Sequence, residues 1–227
     1  MRQIRRNVFE TNSSSSHSLV ITTDNEHYTR KEINDEFYLT KLNSLEGKVR
    51  LWESSLEFYR SPFDMLATFK GKLRYAIASS NGNLVDECRE ICKKYIDGFV
   101  DFEFDTKDYV WDSEVKDYVE AKVPVPNYGG TDDYQIEGWL KKYNVSLEEF
   151  LTNKRYIVVV DGDEYAIYDH IKKSGLFDTS KIIHDSYAEE EEEWHKQYLK
   201  QLEEEKLGKE KNNESEQLYF SKRKDDV

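Results

Sequence analysis

The sequence predicts an α+β protein in which a mostly antiparallel sheet packs against several helices, followed by an acidic helix and a charged tail. Three observations lead there. Short runs such as Tyr156–Val160 and Phe99–Phe104 read as strands, two amphipathic helical stretches follow each other around Leu73 and Cys88, and the alternation of elements is too irregular for a doubly wound parallel sheet. The 16 Tyr and 11 Phe supply large buried areas with few rotatable bonds, so a packed core is expected although only 37% of residues are hydrophobic.

In chain order, Leu19–Thr22 is expected to be a strand, 30–42 a helix and 48–52 a short strand in which Val49 and Leu51 alternate with charged residues. Ser61-Pro62 pairs an N-cap residue with a proline at the first helical position. Phe63, Leu66, Phe69, Leu73 and Ile77 then recur at helical spacing, which predicts a helix to about Ala78. Ser79-Ser80-Asn81-Gly82 breaks it, and Asn83 opens a second helix ending at Gly98. After the Phe99–Phe104 strand, 109–123 should hold one or two more, and Pro124 through Gly130 should be an irregular loop because proline lacks the amide donor. Thr131 opens a helix carrying Ile136, Trp139, Leu140 and Tyr143, and Ser146-Leu147-Glu148-Glu149 is a capping-box pattern. Tyr156–Val160 is the strongest strand signal, Asp161-Gly162 with 164–168 reads as a hairpin, and 170–174 reads as a helical turn stopped by Gly175. The resulting division is one domain over 1–185, an acidic helical extension over 186–207 and a disordered charged tail over 208–227.

The stretch Arg5-Arg6-Asn7-Val8-Phe9-Glu10-Thr11-Asn12-Ser13-Ser14-Ser15-Ser16-His17-Ser18 carries the most chemistry. It sets hydroxyls, an amide, a carboxylate and an imidazole between the apolar segments Val8-Phe9 and Leu19-Val20-Ile21. A loop held at both ends can present its backbone amides, with Arg5, Arg6, Asn12, Ser13, Ser14, Ser15 and Ser16, to a phosphate or another oxyanion. Glu10 and His17 are the candidate catalytic pair, Glu10 as a base or cation ligand and His17 as its acid–base partner. Four consecutive serines also suit a solvated linker, although a linker so near the N-terminus would join nothing. Neither a Gly-x-x-x-x-Gly-Lys-Ser/Thr loop nor a Gly-x-Gly-x-x-Gly fingerprint occurs.

This stretch, over Arg5–Leu19, resembles the near-N-terminal signature Val-Phe-Glu-Thr-Asn-Ser-Ser-Ser-x-His-Ser-Leu of a group of uncharacterised proteins from bacteriophages and mobile elements of low-GC Gram-positive bacteria. The segment from Tyr156 to Lys181 is similar to the later part of those proteins. The resemblance implies a phage or prophage setting and no particular reaction, cofactor or metal.

The formal charge of −13 disfavours sequence-independent binding to nucleic acid, leaving only a local basic patch at Arg2, Arg5 and Arg6. Cys88 and Cys92 lie on the apolar side of a helix, where burial explains them better than metal or redox work. Asp161, Asp163 and Glu164 suit a turn better than a metal cluster, and His184-Asp185-Ser186 resembles a catalytic trio only in composition. Neither a membrane span nor a signal core is present, so a cytoplasmic protein is expected, in the host cytoplasm if viral. Two functions remain. One is a phage protein that binds or processes a phosphorylated small molecule or nucleotide through the N-terminal run, including a role against host defence. The other is a non-enzymatic acidic effector that docks its Glu189–Glu193 surface on a host protein, such as a defence or nucleic-acid-binding protein, and inhibits it.

Overall fold

The computed structural model describes residues 16–38, 46–58, 63–112, 114–131, 135–161, 165–175, 178–189, 192–193 and 195–204. The chain divides into two compact units, Met1–Asp185 and Ser186–Val227. The first unit is α+β and mostly antiparallel. Its central sheet has the order β3-β7-β1-β8, formed by β1 (Ser16–Thr22), β3 (Asp64–Leu66), β7 (Tyr156–Asp161) and β8 (Ile182–Asp185). Every neighbouring pair in it is antiparallel, with His17 opposite Val160, Leu19 opposite Val158 and Asp64 opposite Val160.

Cross-strand partners share a face of the sheet, so this register sorts the side chains. Leu19, Ile21, Leu66, Tyr156, Val158 and Val160 enter the main core together with residues of helices α1 (Arg30–Tyr38), α3 (Phe69–Ser79), α4 (Val85–Tyr95), α5 (Gln135–Tyr143) and α6 (Leu147–Thr152). The opposite face buries Val20 and Val159 under α7 (Tyr165–Lys173), whose Tyr168 is fully buried. Burial on both faces explains why β7 reads as a continuous Ile-Val-Val-Val run rather than an alternating one.

Local side-chain chemistry starts α1, α3 and α6. Thr29 and Glu32 form a reciprocal capping box on α1: Thr29 N–H donates to Glu32 Oε2 at 2.7 Å and Glu32 N–H donates to Thr29 Oγ1 at 3.2 Å. The Ser146 hydroxyl oxygen accepts the Glu149 amide at 3.1 Å and starts α6 as expected, while the Glu149 carboxylate turns to Asn153 Nδ2 at 2.8 Å instead of returning to the cap. Helix α4 is the predicted second amphipathic helix, beginning at Val85 with Cys88 and Cys92 wholly buried.

Three expectations are corrected. The helix expected from Ser61-Pro62 starts only at Phe69, where Thr68 Oγ1 accepts the Gly71 amide at 3.0 Å; Asp64–Leu66 instead adds β3 to the edge of β7. Ser61 and Pro62 lie outside the described residues. Sheet pairing thus captured residues whose spacing also suited a helix. Pro124 and Pro126 fall inside β6 (Asp117–Pro126), which among the described residues pairs only with β5 (Thr106–Asp112), and proline is tolerated on an edge strand whose outer amides need no partner. No hairpin follows Asp161: β7 pairs with β1 and β3, both distant in sequence, and 165–173 is helical.

A parallel pair joins β2 (Lys48–Leu51) to β4 (Asp101–Phe104). In the second unit, 186–189 and 195–204 are helical and Glu192 pairs with Lys196 at 3.7 Å. The expected disordered tail over 208–227 lies outside the described residues. Among the described residues no helix is long and apolar enough to cross a membrane.

Candidate functional site at the end of the central sheet

The antiparallel order brings the start of β1, the end of β7 and the start of β3 to one end of the sheet. The N-terminal polar run leads directly into that end: Ser16 is the first residue of β1, and its Cα partner is Asp161, which is 2% exposed. One row in, His17, Val160 and Asp64 lie side by side on the core face, while Ser18 sits buried on the other.

His17 is sealed in the protein at 3% exposure, with Nε2 3.1 Å from the Phe58 carbonyl oxygen and Nδ1 3.1 Å from the Tyr75 hydroxyl. A carbonyl can only accept, so Nε2–H donates to Phe58. In the singly protonated ring Nδ1 then accepts the Tyr75 proton. Both supports are themselves fixed. Tyr75, fully buried on α3, stacks on Trp139 at 5.9 Å and meets the Phe58 ring edge-on at 5.4 Å. The Phe58 amide donates to the Gly130 carbonyl at 3.0 Å, and the Gly130 amide donates to the Leu56 carbonyl at 3.1 Å. Gly129, at φ +65, is required in this clamp, because a Cβ there would lie 2.3 Å from the Leu56 carbonyl oxygen.

Arg74, one turn before Ala78 on α3, borders the same region. Its Nε donates to the Ser55 carbonyl at 2.5 Å and its guanidinium lies 5.9 Å from the Phe58 ring centroid. Burial pushes this group below its usual value, and the nearby Asp64 carboxylate opposes the shift. Below the other face, the Asp185 carboxylate accepts from the Tyr168 hydroxyl at 2.9 Å and from Lys172 Nζ at 3.2 Å. Phe63 stacks on Tyr168 at 6.4 Å.

A second polar centre lies between α1, α3 and α6. Lys72 is wholly buried, and its Nζ donates to the carbonyls of Phe150 and Asn153, both at 2.8 Å. The Phe150 carbonyl lies in the last turn of α6 and the Asn153 carbonyl at its C-cap, an end of the helix where a cation is favoured. Burial is the main influence on the ammonium and lowers it to about 7, with Glu36 and Glu149 pulling the other way. Among the described residues its hydrogen bonds go to backbone carbonyls of α6 and its C-cap, so its chemistry is that of an internal clamp. Around it His27 Nδ1 contacts Thr152 Oγ1 at 3.2 Å, and Asn153 Nδ2 donates to Asn25 Oδ1 at 3.1 Å.

Of the residues singled out in the sequence, His17 is described in full and Ser16 by its backbone. Arg5, Arg6, Glu10, Asn12, Ser13, Ser14 and Ser15 lie outside the described residues. Arg74 and Lys72 were missed. Their signal was three cations, Lys70, Lys72 and Arg74, at alternate positions on a helix otherwise lined by Phe69, Leu73, Tyr75, Ala76 and Ile77. Tyr143 and His184, which make a 2.5 Å hydrogen bond, were not connected by any local pattern. Among the described residues no group of three or more His, Cys, Asp or Glu is placed to hold a metal.

Compared with protein-family models, with curated proteins and with solved structures, the chain matches none.

Proposed function

We propose that this chain is a phage-encoded protein that binds a phosphorylated or nucleotide-type ligand through its N-terminal polar run, in a setting that includes action against host defence. The observation that carries this reading is the end of the sheet into which the run leads, where Ser16 stands opposite the buried Asp161 and next to the locked His17, with half-buried Arg74 close by. A strand held by two side-chain bonds fixes where the preceding run ends. That anchorage reduces the ordering cost of a loop that must wrap an anion.

In this proposal Arg5, Arg6, Asn12, Ser13, Ser14, Ser15 and Ser16 supply donors to the oxyanion and Glu10 serves as base or cation ligand. His17 works as a positioning residue in the arrangement described. Proton transfer through its ring requires the bond to Tyr75 or the bond to Phe58 to open first. The test is equilibrium binding of a panel of nucleotides and sugar phosphates to the wild type, to Glu10→Gln and to the combined Ser13→Ala, Ser14→Ala, Ser15→Ala variant. Ligand binding that falls at least about tenfold in the triple variant is expected, from the loss of charge-assisted hydrogen bonds. Undiminished binding in both variants overturns the reading.

A second reading, an acidic effector that inhibits a host protein, draws support from the β5–β6 hairpin. It leaves Tyr109, Tyr118 and Val123 at 59%, 66% and 69% exposure, apolar side chains within reach of a partner protein. Retention of the biological effect by the Glu10 and serine variants, with its loss on charge reversal of Glu189–Glu193, would favour docking.

A further inference from the structure

Lys70 and Arg74 stand one turn apart on α3 and both are half-buried. Neither forms an ion pair with a described residue. Lys70 Nζ faces the Phe37 ring at 5.7 Å, and Arg74 uses only Nε, on the Ser55 carbonyl. The four Nη–H donors of Arg74 have no acceptor among the described residues. The two cations repel: Lys70 is lowered first by burial and next by Arg74. The acids acting on them are already engaged. Glu36 accepts the amides of Phe69 and Lys70 at 3.3 and 2.7 Å, and Asp64 accepts the amide of Met65 at 2.8 Å. Like charges at this helical spacing destabilise, and a protein with 46 acidic residues has no shortage of carboxylates to neutralise them. Elsewhere on the same unit Arg50, Arg89, Lys94 and Lys154 each meet a carboxylate within 3 Å.

We propose that Lys70 and Arg74 form the seat of a phosphate group. The guanidinium offers a planar fork that matches two oxygens of one phosphate, the ammonium offers a point charge to the third, and the rings of Phe58 and Phe37 lie 5.9 and 5.7 Å from the two cations, Arg74 and Lys70 respectively. Identification of this phosphate as part of the ligand of the N-terminal run rests on the preceding reading; the seat itself rests on α3. Arg74 touches Phe58, whose carbonyl holds His17, so an anion there lies beside the strand that the run enters.

The experiment titrates the full chain with inorganic pyrophosphate at low ionic strength, by calorimetry, in the wild type, Lys70→Gln, Arg74→Gln, Arg74→Lys and the triple serine variant. Lys70→Gln and Arg74→Gln should each weaken binding about tenfold or more, and Arg74→Lys, which keeps the charge and loses the fork, should weaken it by less. Circular dichroism checks the fold, and if Arg74→Gln unfolds, Lys70→Gln and Arg74→Lys decide. Absence of pyrophosphate binding at millimolar concentration in the wild type, or undiminished binding in the folded cation variants, overturns the seat. Weakening in the cation variants alone leaves the seat standing and removes the N-terminal run from the site. Weakening in the serine variant alone does the reverse, and weakening in both joins them in one site.

Discussion

Replacement of Lys72 by Met tests the buried clamp and has a magnitude that can be worked out. The ammonium is lowered from 10.5 to about 7 by burial. Between those values the unfolded chain holds a proton that the folded protein has released, so the stability of the wild type rises with pH across this window. At about 1.4 kcal/mol per pH unit, the wild type gains about 4 kcal/mol over Lys72→Met between pH 7 and pH 10. The variant also leaves the Phe150 and Asn153 carbonyls without their donor, at about 1–3 kcal/mol each. Removal of a buried charge offsets that loss below pH 7. The two proteins should therefore be similar in stability at pH 6, and the wild type should lead by several kcal/mol at pH 10. Urea denaturation followed by circular dichroism at unit pH steps measures the difference. Tyr28, Cys88 and Cys92, all raised chiefly by burial, lower stability at alkaline pH in both proteins and so cancel. A wild-type lead that stays constant from pH 6 to pH 10 would refute the reasoning, because it would mean that the ammonium keeps its proton throughout.

Phe69→Ala, which empties a fully buried site against Phe37 and Tyr95, should cost about 3–5 kcal/mol in chemical denaturation, and a loss under about 1 kcal/mol would mean that α3 packs in another orientation. His17→Ala leaves the Phe58 carbonyl and Tyr75 hydroxyl without a partner that each now has; a loss of about 2–5 kcal/mol and a lower Tm are expected, and an unchanged Tm would return His17 to a purely chemical role. Tyr75→Phe removes only the hydroxyl and should cost about 1–2 kcal/mol while leaving the Trp139 stack in place, checked by tryptophan fluorescence and denaturation. Cys88 and Cys92, buried and with thiols pushed up, should resist a thiol reagent at pH 8 in native protein and react at once in urea; prompt reaction without denaturant would contradict their burial.

The sequence by itself determined the elements whose signals are local. The run Tyr156-Ile157-Val158-Val159-Val160 needs no partner to be read as a strand, Ser146 caps α6 with its own hydroxyl, and the spacing of Val85, Cys88, Ile91 and Cys92 marks the buried face of α4. The Thr29–Glu32 capping box was equally local and equally legible, and would have fixed the start of α1 at Arg30. Tertiary structure decided which of two satisfied local patterns wins. Leu66 sits at helical spacing from Phe69 and Leu73, yet pairing opposite Val158 buries it in the sheet and satisfies its backbone there, so the helix begins three residues later. Asp161-Gly162 has the chemistry of a hairpin turn, but the partners of β7 were already Ser16–Ile21 and Asp64–Leu66, which no local reading can supply. The same holds for the site. The polar residues proposed for it were visible as a run near the N-terminus, whereas the contacts that lock His17 come from positions 41 and 58 residues away, and Arg74 meets the Phe58 ring from a different element, α3. Periodicity carries information about one element's own faces; the contacts that fix a side chain's tautomer, burial and charge arise between elements and exist only once the chain has closed on itself.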